Sequence, residues 1–179
     1  LVPLSEEAIL GKNVYISNGC VGCHTQQVRS IEMDRIWGDR PGIPADYADN
    51  HRIDFFRNTA TLMGTERTGP DLTNIGIRQP GKEWNLLHLF NPRAVVKESI
   101  MPAYPWLFEL KTAPLKNDIV VNVPENYRNG EKGTIVARKE ALYLIAYLQS
   151  LKQVKLPESN TPDFLYKQQS DSKPLTNKS

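Results

Sequence analysis

Hydrophobic and polar positions alternate with helical period near both ends of the chain, and the stretch between is broken by turn residues. Residues 5–17 predict a helix. Ser5 suits the N-cap, Glu6 and Glu7 suit the positive end of the helix dipole, and Gly19 supplies a stop. The expected apolar face is Ile9, Leu10, Val14 and Ile16. Gly11 and Tyr15 lie four apart and stack on one side, where a glycine lets another helix approach closely. Residues 138–153 carry the strongest pattern. Leu142, Ile145 and Leu148 repeat at helical spacing, and Leu144 and Leu151 widen the stripe. Residues 84–90 predict a short helix that ends near Asn91-Pro92.

Two stretches read as insertions. Residues 31–66 are polar, with no sustained period. Residues 111–135 hold Ile119-Val120-Val121 and, at their end, Thr134-Ile135-Val136 around an Asn/Gly-rich centre, which predicts a small hairpin. From 156 to 179 the chain is rich in Ser, Pro, Asn, Lys and Gln, the composition of an extended or disordered tail. The pattern is thus that of one mainly α domain over 5–155 with long loops.

Composition narrows the function. The 179 residues are 40% hydrophobic and 23% charged, with a formal net charge of +2 and no dense basic block, so there is no footprint for nucleic acid. The longest apolar run, residues 141–148, is far shorter than the roughly 18 residues that span a bilayer. No signal peptide is visible, but the chain starts at Leu1, which leaves room for a targeting or anchoring segment ahead of it. No Ser/His/Asp set, useful carboxylate pair or phosphate loop is present, so the polypeptide itself is expected to do no bond chemistry.

The chemistry concentrates at Cys20-Val21-Gly22-Cys23-His24, the spacing of c-type haem attachment. Two thiols three apart reach the vinyl groups on one side of a porphyrin and form thioethers, and the next residue sets an imidazole under the iron. Three alternatives compete: a redox dithiol, a zinc site, or incidental cysteines. A thioredoxin-like pair belongs in a βαβ pattern, whereas this one follows a helix. Structural zinc needs four ligands, and the chain offers two Cys and three scattered His.

Haem iron in electron carriers is commonly held by His and Met. Met33 is nine residues beyond His24, too near to cross to the other face, and Met63 lies in a polar loop. Met101 is 77 residues downstream, and Pro102 after it enforces an extended backbone, suited to a side chain held on a rigid loop. Met101 is therefore the preferred sixth ligand, with core packing as its alternative role. His88, in a helical pattern, and His51 are weaker candidates.

Around these, Pro70 in Arg67-Thr68-Gly69-Pro70-Asp71 offers a carbonyl to the free ring nitrogen of His24, which would fix its tautomer. Arg29, Arg67 and Arg93 are candidates to pair with haem propionates. Tyr104, Trp84 and Trp106 are candidates to wall the pocket, with ordinary aromatic packing as the alternative.

The segments 19–29 (GCVGCHTQQVR), 67–78 (RTGPDLTNIGIR) and 88–107 (HLFNPRAVVKESIMPAYPWL) resemble the monohaem cytochrome c subunit of cbb-type haem–copper oxidases, FixO or CcoO. GKNVY and ALYLIAYLQSL match as well, and the resemblance covers about two-thirds of the chain. It implies a class I cytochrome c domain with crossing first and last helices, His24 and Met101 as axial ligands, and one covalent haem c. It also implies a periplasmic position on the bacterial inner membrane, an N-terminal anchor, and partnership with a catalytic haem–copper subunit and a multihaem cytochrome c subunit. Met63 falls where the family usually carries Trp. Ser30 replaces a usual Pro, and both insertions diverge.

Electron relay in a respiratory oxidase is the leading expectation. A cytochrome c shuttle for another periplasmic reductase is the alternative. A haem sensor, which would need an open sixth position, is a third.

Overall fold

The computed structural model describes residues 4–48, 62–128 and 130–156; His51 and the 157–179 tail lie outside them. Among the described residues the chain forms five α-helices and one two-stranded antiparallel sheet, a mainly α architecture of the cytochrome c kind.

Helix α1 spans Glu6–Ser17. Ser5 is extended, and its side chain accepts the Ala8 N–H at 3.2 Å; after the helix, Gly19 turns the chain with φ 69°. The buried face differs from the expected one. Ala8, Gly11, Lys12 and Tyr15 face inward, whereas Ile9, Leu10 and Ile16 are exposed. The reason is the second helix. Helix α5, Lys139–Ser150, lies so close across α1 that a β-carbon at Gly11 would come within 2.8 Å of Tyr147 Cβ. Close approach selects the small-residue face rather than the most apolar one. Tyr15 and Tyr147 pack beside that contact, ring centroids 5.4 Å apart.

On α5 the buried residues are Ala141, Leu144, Ile145 and Tyr147, with Leu151 just past its end. Leu142 and Leu148 of the expected stripe are only half-buried, and the helix stops at Ser150 rather than continuing to 153. Each fully buried aliphatic here contributes about 2 kcal/mol.

Helix α2 is Pro44–Ala48, α3 is Ile75–Arg78, and α4 is Lys82–Phe90, capped at Asn91 as the Asn-Pro step predicts. The sheet keeps the expected pairing and adds a strand to it. Strand β1, Phe108–Lys111, pairs antiparallel with β2, Thr134–Ala137, Phe108 opposite Ala137. The 119–121 segment pairs with the other edge of β2 as expected, through a Val120–Val136 bridge and bonds from Val121 N–H to the Ile135 carbonyl and from Ala137 N–H to the Ile119 carbonyl, each 2.9 Å. Ile135 and Val136 are buried, so β2 takes the central place.

The first insertion is not loose where it is described. Glu32–Ile36 form a 3-10 turn, and Arg40 makes a bidentate buried pair with Asp46, both bonds 2.7 Å. Arg40 also donates to the Val154 carbonyl, and Gln153 donates to the Arg40 carbonyl, each at 2.7 Å. These bonds fasten the loop to the segment after α5.

Candidate haem site

The site is built on one turn. Gly19 in the left-handed region reverses the chain out of α1, and Cys20–Gly22 make a single 3-10 turn. The Cys20 carbonyl accepts the N–H groups of Cys23 at 3.2 Å and His24 at 2.9 Å. Both thiols and the imidazole thus leave one closed turn. The cysteines are unbridged, Cys20 half-buried and Cys23 exposed.

A second segment lies along this one. Gln26 N–H donates to the Met63 carbonyl at 2.8 Å, Gly69 N–H to Cys23 at 2.8 Å, and Leu72 N–H to Thr25 at 2.8 Å. Gly64, at φ 87°, passes over the His24–Thr25 backbone, where a β-carbon would sit 2.7 Å from Thr25 Cα. Asp71 finishes the seam: its carboxylate accepts from Thr25 Oγ1 at 2.6 Å and Gln27 N–H at 2.7 Å.

This seam orients His24. Its Nδ1 lies 2.7 Å from the Pro70 carbonyl, which can only accept, so Nδ1 carries the proton. Nε2 makes no hydrogen bond among the described residues and keeps its lone pair. Burial lowers the His24 pKa, opposed by the Pro70 bond and Asp71, and so favours the neutral ring that a metal requires.

The remaining groups fit a haem better than a bare metal or a redox dithiol. Among the described residues no cluster of three or more His, Cys, Asp or Glu is placed to hold a metal ion. Burial pushes the Cys20 thiol up to about 11, away from the thiolate that zinc binding or disulfide exchange needs. The Tyr104 hydroxyl meets that thiol, and burial, with the nearby cysteines, pushes Tyr104 up to about 12.

The methionines separate by position. Met33 is 71% exposed and Met63 is also exposed. Met101 is half-buried against the hydrophobic core, its N–H donating to Ser99 Oγ at 3.3 Å. The loop that carries it is tied to α4, with Tyr104 N–H on the Leu89 carbonyl at 2.9 Å. Trp106 is exposed, donates to Asn18 Oδ1 at 2.8 Å, and stands edge-on to Tyr104. Trp84 stacks on His88, centroids 4.6 Å apart.

Residues 2–123, which contain the attachment turn, the Pro70 seam and the Met101 loop, match the family model for the mono-haem subunit of cytochrome c oxidase, FixO. The chain belongs to the FixO family. As a FixO protein it is a haem-carrying electron-transfer subunit of a cytochrome c oxidase. No curated protein matches the chain.

Within this FixO chain the arginines take a partner that sequence reading missed. Arg29 donates to Asp34 through Nε to Oδ2 at 3.0 Å and a terminal nitrogen to Oδ1 at 3.1 Å, and Arg67 donates to the same Oδ1. Burial would raise the Asp34 pKa, but the bonds from Arg29 and Arg67 hold it well below the carboxylate range. Arg67 also reaches Thr25 Oγ1 at 2.8 Å, so it braces the turn behind His24. Arg93 is exposed, with no side-chain partner among the described residues. Asp71 had a readable signal, since an Asp after Gly-Pro favours the side-chain turn seen at Thr73 N–H, 2.8 Å away. Asp34 had none.

Proposed function

We propose that this subunit carries one haem c, attached by thioethers at Cys20 and Cys23 and ligated by His24 and Met101. It relays electrons to the catalytic subunit of a cbb-type haem–copper oxidase, beside a multihaem cytochrome c subunit. Its place is the periplasmic side of the bacterial inner membrane, with an N-terminal anchor. No helix among the described residues is long and apolar enough to cross a membrane.

The observation that carries this reading is the His24 ring: Nδ1 held by Pro70 at 2.7 Å, Nε2 left for iron, one residue from Cys23. Bound haem supplies a one-electron couple at its iron. The chain's residues hold and orient: the turn sets both thiols on one side, Pro70 fixes the imidazole tautomer, and the Pro102 step keeps Met101 extended. A thioether ligand favours the reduced iron relative to a second imidazole.

The test is Met101→Ala in the haem-loaded protein. The Met-to-iron charge-transfer band at the red end of the oxidised spectrum should vanish, and reduced protein should gain rapid carbon monoxide binding. An unchanged spectrum and potential would sink the ligand assignment. Haem removed by acidified acetone would refute covalent attachment.

A further inference from the structure

His88 is a polar side chain near His24 that the proposed function leaves without work. It stands in the last turn of α4, its ring stacked on Trp84 at an interplanar angle of 12°. Its Nδ1 is buried and has no hydrogen-bond partner among the described residues. Such an atom costs stability unless something satisfies it.

Two contacts locate it. The next residue, Leu89, accepts the Tyr104 N–H at 2.9 Å, so the last turn of α4 lies beside the loop that carries Met101. The ring is also close enough to His24 that burial first, and His24 second, lower its pKa to about 4. The ring thus lies near His24, on the helical turn that is tied to the Met101 loop. Core packing alone would favour a Phe or Leu there, with no buried nitrogen to satisfy.

We infer that His88 is a positioning residue for the sixth ligand, its Nδ1–H reserved as a hydrogen-bond donor to the Met101 thioether. This rests on the proposed haem ligation. A donor to the ligand sulfur withdraws electron density from it and favours the reduced iron, so losing the donor shifts the couple toward the oxidised form.

Two substitutions separate polarity from shape in the haem-loaded protein. His88→Phe keeps a ring against Trp84 and loses the donor; His88→Asn loses the ring and keeps a donor near the Nδ1 position. With haem content and far-UV circular dichroism unchanged, His88→Phe should shift the redox equilibrium constant about fivefold toward the oxidised form, the scale of one net hydrogen bond. It should also move the Met-to-iron band, and His88→Asn should recover most of both effects. A wild-type protein without that band overturns the proposed ligation and this inference with it. A wild-type band and potential that His88→Phe leaves unchanged, or that His88→Asn fails to recover, overturn the inference alone.

Discussion

Gly69 lies against the imidazole of His24, where a β-carbon would come within 2.8 Å of Nδ1 and 2.9 Å of Nε2. The glycine is there for space, since the Pro70 carbonyl reaches Nδ1 only if the chain before it hugs the ring. Gly69→Ala should displace the ring or the loop, at about 2 kcal/mol, and lower the low-spin share of the haem spectrum. A variant with wild-type spectrum and thermal midpoint would show that the seam yields freely.

The Asp34 cluster predicts a pH dependence. Its folded pKa is depressed below the ordinary value of about 3.9. Its stabilisation is therefore present above that value and lost as pH falls through the folded one. Asp34→Asn should cost about 2 kcal/mol at neutral pH. Most of this comes through Arg67, because the Arg29 side chain is 48% exposed and screened. Urea titrations at several pH values should show the gap between wild type and variant constant near neutrality and shrinking below about pH 4.

Arg40→Ala should cost about 3 kcal/mol, because it leaves Asp46 buried without its partner. The double variant Arg40→Met with Asp46→Leu should recover much of that loss, since an apolar pair leaves no uncompensated charge. Equilibrium denaturation of the three proteins checks both statements.

At Gly11, alanine improves helix propensity by about 1 kcal/mol. The added methyl, however, meets the Tyr143 backbone of α5, which cannot yield as a side chain end can. Overpacking of about 1 to 3 kcal/mol wins, so Gly11→Ala should lower the thermal midpoint and Gly11→Val lower it further.

Much of the site could be read from residues because its signals are local. The Cys-x-x-Cys-His turn is closed within five residues, and the Asn91-Pro92 step ends α4 by its own sterics. The inward face of α1 could not be read from hydrophobicity, since Gly11, Lys12 and Tyr15 turn inward in answer to α5, more than a hundred residues away. Strand β1 was missed for a similar reason. Residues 119–121 have the apolar run and do pair with β2, whereas residues 108–111 have none and become a strand by pairing with its other edge. Asp34 looks like a surface carboxylate until Arg67 arrives by tertiary folding, and Asp46, whose partner Arg40 is local, until Val154 after α5 closes over it.

The attachment turn and the bond that orients its histidine differ in reach. The turn is closed over three and four residues, whereas the Pro70 carbonyl comes from 46 residues beyond His24. On the proposed reading, an unfolded chain newly delivered across a membrane already displays the whole attachment signal, but not the oriented ring. Biogenesis then divides in two: cofactor loading on a short tag, followed by closure of the loop that sets the ligand field. A substitution in the 62–72 segment would spare the first stage and impair the second, yielding protein with its full complement of pigment and the wrong colour.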